Sequence, residues 1–166
     1  LSLMNKLLGH RKPKAQKHTL KNLRVDDTVS YDLMDYTVVG LIKYEDSGYK
    51  WIAYRLEGQG ERIWLAVEQD ETLEISIFRP IEMHIGNRPP NRLNYDNRTF
   101  YLDEAGTATV TMVEGDAGAN PGQRVKYWEY IDEGDYALSI EQWGSELEVC
   151  YGYYIHEREV NITAGK

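Results

Sequence analysis

The chain holds one cysteine, Cys150, in 166 residues, which excludes an internal disulfide framework and any zinc site built on several thiolates. With no recognisable signal sequence at its start, that usage points to a reducing cytoplasm. No apolar run approaches the roughly 20 residues needed for a helix to span a bilayer. No long window carries helical periodicity either, so little helix is expected. Only four histidines occur, His10, His18, His84 and His156, with no i, i+4 pair and no H-E-x-x-H. A zinc site would have to be gathered from His84, His156 and Cys150, which no spacing signals. Acidic residues are missing from residues 1–25, which hold seven basic ones. The rest of the chain keeps 12 of the 19 basic residues against all 27 acidic ones, a balance of −15. Such a body repels phosphate backbones, so no nucleic-acid partner is expected.

What is plentiful is tyrosine and tryptophan, 13 and four against two phenylalanines. These residues favour strands and bring apolar area together with a polar tip. Short β-type runs are predicted at 28–33, 36–44, 49–56, 62–68, 72–78, 99–102, 107–114, 124–131, 136–141 and 147–155. Turn formers separate them: Glu45-Asp46-Ser47-Gly48, Gly58-Gln59-Gly60, and Gln69-Asp70-Glu71. Alternation is cleanest in the 72–78 run, with Leu73, Ile75 and Ile77 on one face and Glu74 and Ser76 on the other. Ile63, Leu65 and Val67 likewise share a face. Residues 79–98, with Pro80, Pro89 and Pro90, break the rhythm and read as a connector.

The stretch 51–81 reads as if it were written again at 127–155. Trp51 and Tyr54 match Tyr127 and Tyr130, Val67-Glu68-Gln69 matches Ile140-Glu141-Gln142, and Leu73-Glu74 matches Leu147-Glu148. Upstream, residues 37–48 align with 107–118. The expected architecture is mainly β: two related antiparallel meander halves packed as a sandwich or wrapped as a closed or partly open barrel. The expected division is a basic mobile arm (1–22), a first repeat (23–81), a connector (82–98), a second repeat (99–157) and a tail (158–166).

Tyr36-Thr-Val-Val-Gly40-Leu-Ile-Lys-Tyr44, then Trp51-Ile-Ala-Tyr54, then Ile63-Trp64-Leu65 with Glu68, resembles a bacterial domain-of-unknown-function family numbered 4178. The second half fits the same unit through Tyr127-Trp128-Glu129-Tyr130 and Glu141-Gln142-Trp143. The resemblance covers roughly residues 25–155 and transfers no catalytic residue. It implies a bacterial protein, encoded near genes for membrane-stress, polyamine-related or small membrane proteins.

The candidate binding residues are Trp51, Tyr54, Trp64, Glu68, Tyr127, Trp128, Tyr130, Glu141 and Trp143, because these aromatics exceed what one core face would bury. The competing reading makes them cross-strand pairs that stabilise sheets. Glu68 with Glu141 and Glu74 with Glu148 hold matching places, and a twofold meeting of the halves would bring them together. The competing reading there is a solvated strand face. Cys150 lies opposite the Leu147, Val149 and Tyr151 stripe, and no activating motif accompanies it. Gly58-Gln59-Gly60 joins two strands, so positive φ at Gly58 and Gly60 is expected in place of a phosphate loop. Lys6, Arg11, Lys12, Lys14, Lys17 and Lys21 could rest weakly on an anionic membrane, which would put the domain at the inner face.

The function expected is non-enzymatic, the binding of a protein partner or small ligand with no cofactor and no resident metal. An enzyme or ligand sensor with a carboxylate-lined pocket between the halves is the second reading, and a peripheral membrane adaptor is the third.

Overall fold

The computed structural model describes residues 18–166. Strands account for 65% of them, and the sole helical turn among them is the three-residue 3-10 turn Glu157–Glu159. The strands are β1 (Thr28–Tyr31), β2 (Met34–Asp46), β3 (Tyr49–Gly58), β4 (Glu61–Gln69), β5 (Leu73–Ile81), β6 (Arg92–Tyr95), β7 (Arg98–Gly115), β8 (Arg124–Ile131), β9 (Tyr136–Trp143), β10 (Glu146–Ile155) and β11 (Val160–Thr163). All pairings are antiparallel. The order is β11-β1-β2-β3-β4-β5-β10-β9-β8-β7-β6, and β2 also pairs with β7. Eight strands, β2–β5 and β7–β10, therefore close into a barrel. The other three are extensions: β1 and β11 continue from the first half of β2, and β6 from the first half of β7.

Two long strands make closure possible. β2 pairs with β1 through Met34–Thr37, and then with β7 from Gly40 to Glu45. Register shifts near Val38 and Gly40, and again between Lys43 and Tyr44, bend it between the two roles. β7 behaves likewise, pairing with β6 before its own register shift between Leu102 and Glu104. The two expected runs at 99–102 and 107–114 are thus one bent strand. Gly106 lies at the bend, where a Cβ would fall 2.5 Å from Asp46 Oδ2 and 2.7 Å from the Tyr127 hydroxyl. Tight hairpins do the rest. Both residues of Asp32-Leu33, Ser47-Gly48, Gln59-Gly60 and Asp96-Asn97 have positive φ, as two-residue turns between twisted strands require. Gln59 and Gly60 carry the positive φ in that turn, whereas Gly58 belongs to β3.

The expected connector contains β6 and the expected tail contains β11. Both are four residues long with one apolar face, too short to stand out among Pro and Asn. Residues 1–17 of the basic arm lie outside the described residues. Its last part is packed: Leu20 is buried in a core, together with the neighbouring Leu23. Asp27 pins this region. It is fully buried and accepts hydrogen bonds from the Arg24 amide (2.8 Å), the Gly165 amide (2.9 Å) and His18 Nδ1 (2.8 Å). Burial alone would raise its pKa, but the two amides and His18 hold it below the usual aspartate value.

The apolar stripes do not face the barrel axis. Ile63, Leu65, Val67, Ile75 and Ile77 are buried on the outer side of the wall, under Val29 and Tyr31 of β1 and Tyr36 and Val38 of β2. On the opposite flank, Leu138, Ile140 and Val149 are buried with Leu93 of β6 and Phe100 of β7. Each meander's oily face is therefore covered by strands from its own half of the chain, aided on the first flank by β11. The faces do not shield one another as the sequence led us to expect. A third cluster, with Ile42, Val110 and Val125, fills part of the interior. Ile77→Ala is expected to cost about 2–5 kcal/mol in urea unfolding. Ala66→Ser, on the inward side of neighbouring β4, should cost about 0.5 kcal/mol or less.

Candidate functional site

Strands alternate faces, so an apolar stripe turned outward sends the intervening polar residues inward. Inside the ring is a cavity of about 390 Å³, to which seven of the eight barrel strands contribute. Eight-stranded barrels are wide enough either to be filled by side chains or to hold one small ligand. Here three indoles, Trp51, Trp64 and Trp143, and five carboxylates, Glu68, Glu74, Glu129, Glu141 and Glu148, share the lining with Ser139 and Cys150.

Two rungs organise it. Trp51 stands opposite Glu68, and Glu68 opposite Glu74, across β3, β4 and β5. Tyr127 stands opposite Glu141, and Glu141 opposite Glu148, across β8, β9 and β10. The rungs touch where the Trp51 and Tyr127 rings meet edge to face, 5.3 Å between centroids. Tyr44 stacks on Trp51 at 5.2 Å and lies 6.4 Å from Trp143. Its hydroxyl donates to Glu141 Oε2 at 3.1 Å, and Tyr49 donates to Glu68 Oε2 at 2.8 Å. Arg55 lies 5.6 Å over the Trp64 ring and pairs with Asp116 at 3.3 Å. Two buried donors on this lining, Arg55 Nε and Trp143 Nε1, have no acceptor among the described residues.

The acids are strained by their setting. Burial, reinforced by the charges of Glu68, Glu104, Glu141 and Asp103, pushes Glu129 up to about 8. No hydrogen bond offsets the shift of Glu129. Burial and neighbouring Glu148 push Glu141 up to about 7, against the hydrogen bond from Tyr44. Burial raises Glu68 and Glu148 too, with Tyr49 and Arg55 respectively opposing the rise. Cys150 is pushed up to about 12 by burial and by Glu141 and Glu148, so its thiol stays protonated and is no nucleophile. Among the described residues, no three His, Cys, Asp or Glu side chains are grouped closely enough to hold a metal ion.

Of the sequence candidates, Trp51, Trp64, Glu68, Glu141 and Trp143 line the cavity, and Tyr127 packs against Trp51. Tyr54 and Tyr130 are instead buried in the outer cores, where Tyr130 donates to the Pro90 carbonyl at 2.7 Å. Trp128 packs on the same flank as Tyr130. The solvated reading of the paired glutamates does not hold for Glu68 and Glu141, which are half-buried on the cavity wall, whereas Glu74 and Glu148 remain exposed. Sequence reasoning passed over Glu129, Arg55 and Ser139. Glu129 was findable, since it shares parity with Tyr127 and alternates with outward-facing Trp128 and Tyr130. Of the candidate membrane contacts, Lys6, Arg11, Lys12, Lys14 and Lys17 lie outside the described residues. Lys21 is exposed. No described helix is long and apolar enough to cross a membrane.

Fold and cavity define a closed antiparallel β-barrel with a hollow, acidic, indole-walled interior. The family model "Domain of unknown function (DUF4178)" matches residues 24–157, and the chain belongs to that family. It is similar to the uncharacterized protein Rv2597 of Mycobacterium tuberculosis, strain H37Rv, and to the uncharacterized protein Mb2628 of Mycobacterium bovis. Each is 28% identical over 142 residues, covering 81% of this chain and 68% of the relative. No solved structure matches it.

Because Glu129 and Glu141 hold their protons far above the unfolded value of 4.5, the folded state binds more protons than the unfolded chain between those limits. Their contribution to stability is therefore intact in acid and is lost as pH rises through about 7 and 8. The ligand-free melting temperature should fall from pH 5.5 to 8.5, by a slope of up to about 1.4 kcal/mol per pH unit for each proton retained. Glu129→Gln and Glu141→Gln should each flatten that slope in a thermal melt series.

Proposed function

We propose that this domain is a non-enzymatic container that holds one small ligand inside the barrel. The observation that carries the reading is the cavity itself: about 390 Å³ of space inside the barrel, lined by seven of its strands. Its volume falls within the range of ligand pockets, and its lining combines aromatic walls with a few polar groups. The unpartnered donors Arg55 Nε and Trp143 Nε1 add support, since buried polar groups without partners are costly and an occupant would relieve them. A ligand is favoured over a protein partner because three of the four indoles, Trp51, Trp64 and Trp143, turn inward. The protonated Cys150 offers no nucleophile for catalysis.

The same reading gives the two halves a common origin as copies of one meander. What supports it is that residues 37–46 and 107–115, which align in sequence, lie on β2 and β7, and that these pair with each other. β5 and β10, carrying the second pair of aligned segments, also pair. A bacterial cytoplasm suits the lone reduced thiol.

Native mass spectrometry of protein taken from its own cells tests the container. Wild type should carry one small-molecule adduct per chain, and the cavity-filling variants Ala66→Trp and Ala53→Phe should carry none. Folded variants with the same adduct, or wild type with no adduct, would refute the proposal.

A further inference from the structure

Resting on the container reading, we infer that the occupant is a neutral planar cyclic amide, whose carbonyls accept from Arg55 Nε and Trp143 Nε1 and whose N–H donates to Glu129. The unmet donors of the wall come first. The Arg55 guanidinium lies over the Trp64 face and pairs through Nη1 with Asp116, yet its Nε is buried with no acceptor among the described residues. Trp143 Nε1 is buried and unpartnered in the same way. The charge of Arg55 is felt at Glu148, but no carboxyl of the lining bonds to either donor. A buried donor without an acceptor is costly, so the occupant has to bring acceptor atoms.

Charge on the occupant is opposed from both sides. Five carboxyls line the cavity against that one engaged guanidinium, so an anion meets uncompensated acid. An organic cation brings only further donors and leaves Arg55 and Trp143 unmet. What remains is uncharged, and it has Glu129 to answer. That carboxyl lines the cavity opposite Ser139 and has no hydrogen-bond partner among the described residues. The groups ranged about it are Glu68 on β4, Asp103 and Glu104 on β7, Glu141 on β9 and Tyr154 on β10, none of them a cation. In that setting Glu129 is neutral at pH 7, and the carbonyl of a neutral carboxyl accepts an N–H without any charge being buried.

The ring is read from the walls. Ala53 stands opposite Ala66, and Ala66 opposite Ser76, across β3, β4 and β5. Cys150 stands opposite Ser139 across β10 and β9. These short side chains all line the cavity and leave its space open. Trp51 is the next inward residue to Ala53 on β3, and Trp64 the next to Ala66 on β4, so large aromatic faces border the short course. A flat ring gains contact area and stacking against such faces. A purely apolar ring would leave the two donors and Glu129 unanswered.

Three bicyclic probes, titrated into the full chain at pH 7, test this: quinazoline-2,4-dione, which is neutral, 1-naphthoate and 1-naphthylmethylammonium. The dione should bind once per chain and at least about tenfold more tightly than either ion, since a site with unmet polar groups rejects ligands that leave them unpaired. In proton–nitrogen correlation NMR, the Trp143 Nε1–H and Arg55 Nε–H signals should move downfield with the dione and stay in place with the ammonium. Trp143→Phe and Arg55→Lys assign those signals by their loss. Trp143→Phe should weaken dione binding about fivefold or more. Glu129→Leu should do the same, and Glu129→Gln, which keeps the carbonyl, should recover most of the loss; if Glu129→Leu fails to fold, Trp143→Phe decides. Tighter binding of either ion, dione binding with both N–H signals unmoved, or dione binding indifferent to Trp143→Phe would overturn the inference and leave the container standing. Failure of the dione to bind would overturn it as well, and the container falls with it only if protein from its own cells also carries no adduct.

Discussion

A strand with one oily face and one acidic face cannot bury both, and in a closed barrel only one of them can look inward. This chain resolves the choice with covering strands. β1, β11 and the first half of β2 lie over the outside of β3–β5, and β6 with the first half of β7 lies over β8–β10. Once Ile63, Leu65, Ile75 and Ile77 are sealed beneath that cover, pleat geometry sends Trp64, Glu68, Glu74 and Ser76 to the axis. The acidic interior thus follows from the placement of the apolar stripes, and the raised carboxyls follow from the acidic interior.

Closure and cover depend on the same two strands. β2 and β7 each begin as part of an outer layer and end as part of the barrel wall, with register shifts marking the change. Were either strand straight, it would serve one layer and leave the other open. The register shifts therefore link the fold to the cavity, since without β2 pairing to β7 the space between the rungs would open to solvent.

Much of this was legible residue by residue. Period-two alternation located most barrel strands, and the turn formers located their hairpins. The matched positions of Glu68 and Glu141, and of Glu74 and Glu148, anticipated that these acids would sit on corresponding rungs. The direction of the faces was not legible. Alternation says that Ile75 and Glu74 lie on opposite sides and is silent on which side is inward; that is decided by covering strands distant in sequence. For the same reason Tyr54 and Trp51, three residues apart, were grouped as one aromatic surface although they point to opposite sides of the wall. β6 and β11 escaped because four residues with two apolar positions carry too little pattern, and Glu129 escaped because its aromatic neighbours drew the eye.

The central claim is that Glu129 and Glu141 line the inside of a barrel and do not lie on a wet strand face. Carbon-13 NMR titration of the side-chain carboxyls in ligand-free protein reads this directly. The account predicts midpoints near 8 for Glu129 and near 7 for Glu141, with both shifts abolished on unfolding. Midpoints for both within the ordinary glutamate range, about 4.3, would place these side chains in solvent and contradict it.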